Sequence, residues 1–160
     1  MHIVYNRVKN DYFEKIAPLN MYQDLAFDLL QNEEIPVKVL YGTFGAGKDF
    51  LMAAHALDLV LQKKSKFDKI VFIRNNIPVA GSREIGYLAG TEKDKILPYC
   101  MPFADQVGGL EGLDMLLRDE VLELANFGFI RGRDIKHSII IVSEAENLTA
   151  ENVALLADVS

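Results

Sequence analysis

The octapeptide Gly-Thr-Phe-Gly-Ala-Gly-Lys-Asp at residues 42–49 constrains this chain more than any other stretch of its 160 residues. Closely spaced glycines let backbone amides turn inward around an anion, and the lysine after them supplies a cation at the same place. An apolar run (Val37, Lys38, Val39, Leu40, Tyr41) leads in and predicts a strand, while a helical pattern leads out from Phe50. Strand, glycine loop and helix together read as a phosphate-binding loop, because the helix N-terminus adds partial positive charge to the loop amides. Its candidate phosphate-contacting residues are Gly42, Thr43, Phe44, Gly45, Ala46, Gly47, Lys48, Asp49 and Phe50, with Lys48 reaching the β- and γ-phosphates. The last position of the motif ordinarily carries a Ser or Thr hydroxyl for magnesium; here it is Asp49. The loop therefore predicts a nucleotide-binding protein with an altered metal site.

Length bounds the chain to one domain large enough to bury a core. The longest aliphatic run, Ile139, Ile140, Ile141 and Val142, is far too short to span a bilayer. No apolar signal-peptide core follows Met1, and the single cysteine, Cys100, cannot form an intrachain disulfide, so a reducing cytoplasm is expected. Cys100 is expected to be buried or inert. A net charge of -6 gives no global field that would attract nucleic acid. Lys63, Lys64, Lys66 and Lys69 read as a solvated helix end and loop, whereas Arg131, Arg133, Lys136 and His137 form a second basic stretch.

Residues 1–17 mix charges and aromatics without periodicity and read as an N-terminal arm, followed by a single domain at 18–160. Asn20 reads as an N-cap for a helix carrying Leu25, Ala26, Leu29 and Leu30. Beyond the loop, Leu51, Ala54, Leu57, Val60 and Leu61 predict a second helix, and residues 70–73 a buried strand. Residues 75–112 are expected to be a structured loop with short helices, 113–124 a helix, 127–130 a strand, 139–142 a buried strand, and 151–157 a helix capped by Thr149. Strands alternating with helices argue for an α/β fold with a mainly parallel sheet.

A phosphate-binding loop that hydrolyses its nucleotide needs a carboxylate at the end of a second apolar strand. The run Ile139–Val142 followed by Ser143, Glu144, Ala145 and Glu146 supplies one, with Glu144 at the position that polarises the attacking water. The bland alternative is a solvated turn whose acids favour the next helix N-terminus. The usual ending is Asp-Glu-Ala-Gln, so an expected carboxylate has become the Ser143 hydroxyl, while an expected hydroxyl has become the Asp49 carboxylate. Two complementary departures suggest exchanged magnesium ligands, Asp49 and Ser143; coincidental decay of the site is the alternative. A carboxylate about 4 Å from a phosphate oxygen repels it by roughly 4 kcal/mol at intermediate dielectric. Asp49 therefore opposes nucleotide binding unless a divalent cation such as Mg2+ lies between them.

With these motifs placed, the chain resembles the PhoH-like family of P-loop ATPases, related to the first RecA-like domain of superfamily-one helicases. The resemblance runs from about Pro18 to Leu156 and is carried by Pro18-Leu19-Asn20 with Gln23, Ile73-Arg74, Gly86-Tyr87-Leu88-Ala89-Gly90, Lys95, Pro98-Tyr99, Pro102, Asp105 and Ile130-Arg131-Gly132-Arg133. It implies a P-loop NTPase fold, ATP with Mg2+ as ligands, Gln23 reading the adenine edge, and Lys48 and Glu144 as the catalytic pair. Departures from the family pattern are Asn75, Ala89, Asp49, Ser143 and Glu146. Arg131 and Arg133 could hold phosphates or an RNA backbone, since guanidinium forks match phosphate oxygens, or could pair with Asp119, Glu120 and Glu123.

The resemblance also implies further strands, one of them lying between the loop strand and the acidic strand. The chain stops at Ser160, before them, so the domain is expected to be incomplete at its C-terminal end or to complete its sheet differently. Magnesium-dependent ATP binding with slow hydrolysis is the leading expectation. A non-catalytic nucleotide-binding or RNA-interaction module is the rival, and an inert fragment the third reading. Self-association stays open, and no membrane partner is expected.

Overall fold

Strand β1 (Lys69–Ile73) is the middle of a three-stranded parallel sheet in the order β2-β1-β3, with β2 at Leu122–Ala125 and β3 at Ser138–Val142. The computed structural model describes residues 17–74, 90–125, 127–130 and 135–158. Six helices accompany the sheet: α1 (Met21–Gln31), α2 (Lys48–Val60), α3 (Gly90–Ala104), α4 (Leu110–Arg118), the single turn α5 (Phe127–Ile130) and α6 (Ala150–Asp158). The expected arm at 1–16, the segment 75–89, and Arg131 and Arg133 lie outside the described residues.

The period of two along β1 explains its unbroken hydrophobicity. Ile70 and Phe72 enter one core with Leu57 of α2, Phe103 of α3 and Leu113 of α4. Val71 and Ile73 enter a second core with Phe127 and Ile130 of α5, against which Leu155 of α6 packs. Both faces of the sheet are therefore covered, giving an α/β fold with helices on either side. Phe72 and Phe103 meet edge to face, with centroids 5.3 Å apart. Cys100 is buried beside this cluster, and burial pushes its thiol up to about 12, in keeping with an inert side chain.

Local signals read from the sequence hold at several ends. The Asn20 side chain accepts from the Tyr22 and Gln23 amides and starts α1, whose Phe27 and Leu30 pack on Leu51 of α2. Thr149 Oγ1 accepts from the Asn152 amide at the start of α6. Lys63, Lys64 and Lys66 are exposed as expected, Lys66 pairing with Glu33, whereas Lys69, expected in the same solvated stretch, begins β1 half-buried and pairs with Glu123.

Four expectations are corrected. Part of the stretch 75–112, expected as a loop with short helices, is the 15-residue helix α3, which runs through Pro98 and Pro102. The run 37–41 joins no strand, and Val37, Val39 and Tyr41 are exposed. Apolar residues cannot make a strand without a ladder to join, and the outer edge of β3 bears no strand among the described residues. The helix expected over 113–124 stops at Arg118 because Glu120 adopts left-handed backbone (φ 56°). The Glu120 amide then bonds Leu117 O and the Val121 amide Leu116 O, a paired closure usually built with glycine. That turn frees 122–125 to become β2. The strand expected at 127–130 is instead α5, whose one turn sets Phe127 and Ile130 on one side against the second core.

His55 on α2 is largely buried. Burial, reinforced by the Lys38 ammonium and partly offset by a hydrogen bond with the Leu30 backbone, lowers its pKa from 6.5 to about 4. The unfolded chain takes up this proton near 6.5 and the folded chain does not, so stability is full above that value and falls as pH drops toward 4. Urea unfolding should show His55 costing roughly 2 kcal/mol between pH 7 and pH 5. His55→Gln should flatten that part of the profile, whereas an unchanged slope would mean that other groups carry it.

Candidate functional site

The glycine loop forms where residues 42–47 turn into α2. Gly45 and Gly47 hold left-handed backbone (φ 76° and 81°), a conformation that disfavours side chains. The Ala46 amide closes the turn on Thr43 O. Lys48, the first residue of α2, folds back over the loop, and its ammonium donates to Gly42 O and Thr43 O, each at 2.9 Å. These two carbonyls hold the cation at the loop, where a phosphate would compete for it. Phe44 at the loop tip is fully exposed.

Gln23 reaches this loop from α1. Its Oε1 accepts from the Leu19 amide at 2.8 Å, and its Nε2 approaches Ala46 O at 3.5 Å. The amide so bridges the start of α1 to the backbone beside the loop glycines. A Cβ added at Gly47 would meet Gln23 Nε2 at 3.6 Å, an ordinary van der Waals contact, so the left-handed backbone rather than crowding calls for glycine there.

The two departures from the usual motifs touch each other. Ser143 Oγ donates to Asp49 Oδ2 at 2.8 Å, linking the first turn of α2 to the end of β3 across 94 positions of sequence. Ser143 is buried, and its amide donates to Ile73 O, which continues the β1–β3 ladder by one residue. One carboxylate and one hydroxyl, both hard oxygen donors, fit a magnesium ion that keeps waters and phosphate oxygens as its remaining ligands. No cluster of three or more His, Cys, Asp or Glu suited to a metal occurs among the described residues, so an all-protein cage is not on offer there.

Glu144 follows Ser143 in left-handed backbone (φ 58°), at the start of a 3-10 turn over Ala145–Asn147. Its Oε1 pairs with Nη2 of Arg74, the residue after β1. The Arg74 guanidinium also lies over the Tyr99 ring, 4.7 Å from its centroid. Sequence reading singled out Glu144 but missed this partner. Arg74 and Glu144 are 70 positions apart, and only the parallel register, Ile73 beside Val142, brings them to one sheet end. Glu146 is exposed one turn further on. Lys136 and His137 are exposed, whereas Arg131 and Arg133 fall outside the described residues.

A parallel sheet between helix layers, with a glycine loop opening a helix beside an acidic strand end, defines the P-loop nucleoside-triphosphatase class of fold. The family model described as PhoH-like protein matches residues 15–157, and the chain belongs to that family. It is 34% identical to Protein PhoH2 of Bacillus subtilis over 148 residues, which cover 88% of this chain and 33% of the relative. Protein PhoH2 of Mycolicibacterium smegmatis is 33% identical over 79% of this chain and 29% of its own length. Protein PhoH of Escherichia coli is 32% identical over 71% of this chain and 32% of its own. The chain thus spans about a third of the length of these curated relatives.

The Asp49–Ser143 contact is testable without any ligand. Asp49→Ala and Ser143→Ala should each destabilise the fold, and the double variant should lose less than their sum. A coupling of about 0.5–1.5 kcal/mol is expected for one buried hydrogen bond. Additive losses in urea unfolding would mean that the two side chains do not interact in solution.

Proposed function

We propose that this chain binds ATP together with Mg2+ and hydrolyses it slowly. The observation that carries the reading is the Asp49–Ser143 hydrogen bond, which joins the glycine loop to the acidic strand end at one point. Lys48 and the loop amides hold the phosphates, and Gln23, already beside the loop, is the group to select the adenine edge. Asp49 and Ser143 hold the magnesium, which when bound offsets phosphate charge near the Asp49 carboxylate. Glu144 orients the attacking water and takes its proton. The exchanged positions of carboxylate and hydroxyl keep the donor inventory of the usual site, which favours a working metal site over a decayed one. A second reading, a nucleotide-binding module without turnover, draws on the engagement of Glu144 by Arg74. RNA contact through Arg131 and Arg133 and a self-associated form belong to the same proposal as partners, with the cytoplasm as the compartment.

Two substitutions separate these readings. Lys48→Ala should weaken ATP binding about 10- to 100-fold, as expected when a charged hydrogen-bond donor worth roughly 1.5–3 kcal/mol is removed. Glu144→Gln should leave affinity within about threefold and lower turnover about 100-fold or more, the usual contribution of a positioned base. Calorimetry with MgATP measures the first and phosphate release the second. Unchanged affinity in Lys48→Ala would place the nucleotide elsewhere, and ATP binding without phosphate release by the parent would leave the module reading standing.

The metal ligands add a coupled prediction. Asp49→Thr leaves two hydroxyls and should lower magnesium-dependent turnover, while Ser143→Asp sets two carboxylates beside the phosphates and should weaken metal-free binding. Both changes together should recover much of the loss, with a coupling of about 0.5–3 kcal/mol across a magnesium titration. Strictly additive effects would favour a decayed site.

A further inference from the structure

The Arg74–Glu144 pair takes no part in the proposed hydrolysis itself, and its surroundings point to a role beside it. Three contacts fix Arg74. Its amide donates to Ala125 O of β2 at 3.1 Å, its guanidinium lies over Tyr99 of α3, and its Nη2 grips the Glu144 carboxylate. Glu144 is held equally firmly, since its left-handed backbone aims the side chain and Ser143 before it is tied to both Ile73 and Asp49. The pair is partly shielded, with 22% of the arginine side chain and 37% of the glutamate side chain exposed.

A carboxylate oxygen engaged by a guanidinium is charge-compensated and already carries a strong hydrogen bond. That is a poor state for drawing a proton from water, because the acceptor lone pairs and the negative charge are both in use. The guanidinium itself is not fully used: its Nε is buried and has no hydrogen-bond partner among the described residues.

We propose that Arg74 is a positioning residue that latches Glu144 in a resting state and so restrains turnover. The inference rests on the proposed ATPase activity and concerns what limits it. A latched state favoured about fivefold leaves only about one molecule in six competent, which corresponds to roughly 1 kcal/mol for a half-exposed ion pair. Nucleotide binding is unaffected by the latch, because the loop, Lys48 and Gln23 lie on other elements.

The test uses the full chain, with ATP affinity from calorimetry and kcat from phosphate release at saturating MgATP. Arg74→Met keeps the length of the side chain but removes its charge, and should raise kcat about fivefold with affinity within about twofold of the parent. Arg74→Lys retains the cation and should stay within about twofold of the parent. Tyr99→Leu removes the platform under the guanidinium and should raise kcat by a smaller factor, which keeps the idea testable if the Met variant folds poorly. Raising salt from about 0.05 to about 0.5 M should increase kcat of the parent and leave Arg74→Met flat, because screening loosens a half-exposed pair. A merely structural role would lower kcat in Arg74→Met and Tyr99→Leu and leave the salt profiles alike; that outcome, or an unchanged kcat, overturns the latch. ATP bound by the parent and by Arg74→Met with no phosphate released from either overturns it as well. Failure of the parent to bind ATP would instead overturn the nucleotide reading itself, and the latch with it.

Discussion

The parallel register of β1 against β3 is the constraint on which the site depends. Ile73 lies beside Val142, so the residues that follow each strand, Arg74 on one side and Ser143 and Glu144 on the other, emerge together at one edge of the sheet. A slip of one residue would move every isoleucine of β3 to the opposite core and carry Ser143 away from Asp49. Ile139 and Ile141 face one core and Ile140 and Val142 the other, so hydrophobicity alone does not choose between registers. The observed register is the one whose ladder runs on through the Ser143 amide to Ile73 O and sets the Ser143 hydroxyl against Asp49.

Much of this was legible because the signals are local. Asn20 caps α1 and Thr149 caps α6 through side chains that act within three residues. The glycine loop announces itself because left-handed backbone at Gly45 and Gly47 needs residues without a Cβ. What could not be read depended on partners remote in sequence or on unusual residues. Glu120 takes a left-handed turn where glycine is the ordinary marker, so the end of α4 and the start of β2 were hidden inside one apolar pattern. Residues 37–41 have the composition of a strand, yet strand formation is a property of two chains side by side, and composition describes only one. The contact between Asp49 and Ser143 was inferable only because two motifs departed from the usual pattern in opposite senses. Arg74 was marked only as part of a segment resembling the family's, and nothing in that segment pointed to Glu144, which lies 70 positions away.

The glycine loop and the acidic strand end play unequal parts in the arrangement. The loop is held by its own backbone and by Lys48 folding onto it, so its form needs little from the rest of the chain. The strand end is held by side chains reaching in from α2 and β1, each of them charged. In the proposed scheme, binding of phosphate and control of its chemistry thus fall to separate parts of the structure.

Glutamate at position 144 is opposed by its own backbone. Left-handed geometry costs a residue with a Cβ roughly 1–3 kcal/mol, and glycine or asparagine would adopt it with less strain. Either replacement would remove the carboxylate and relax the main chain in one step. Drift at this codon thus has a downhill direction in backbone energy that runs against the proposed chemistry. A lineage released from selection for turnover would be expected to shed the carboxylate early and gain robustness in doing so, while its glycine loop, which carries no such conflict, would persist as a relic of the former site.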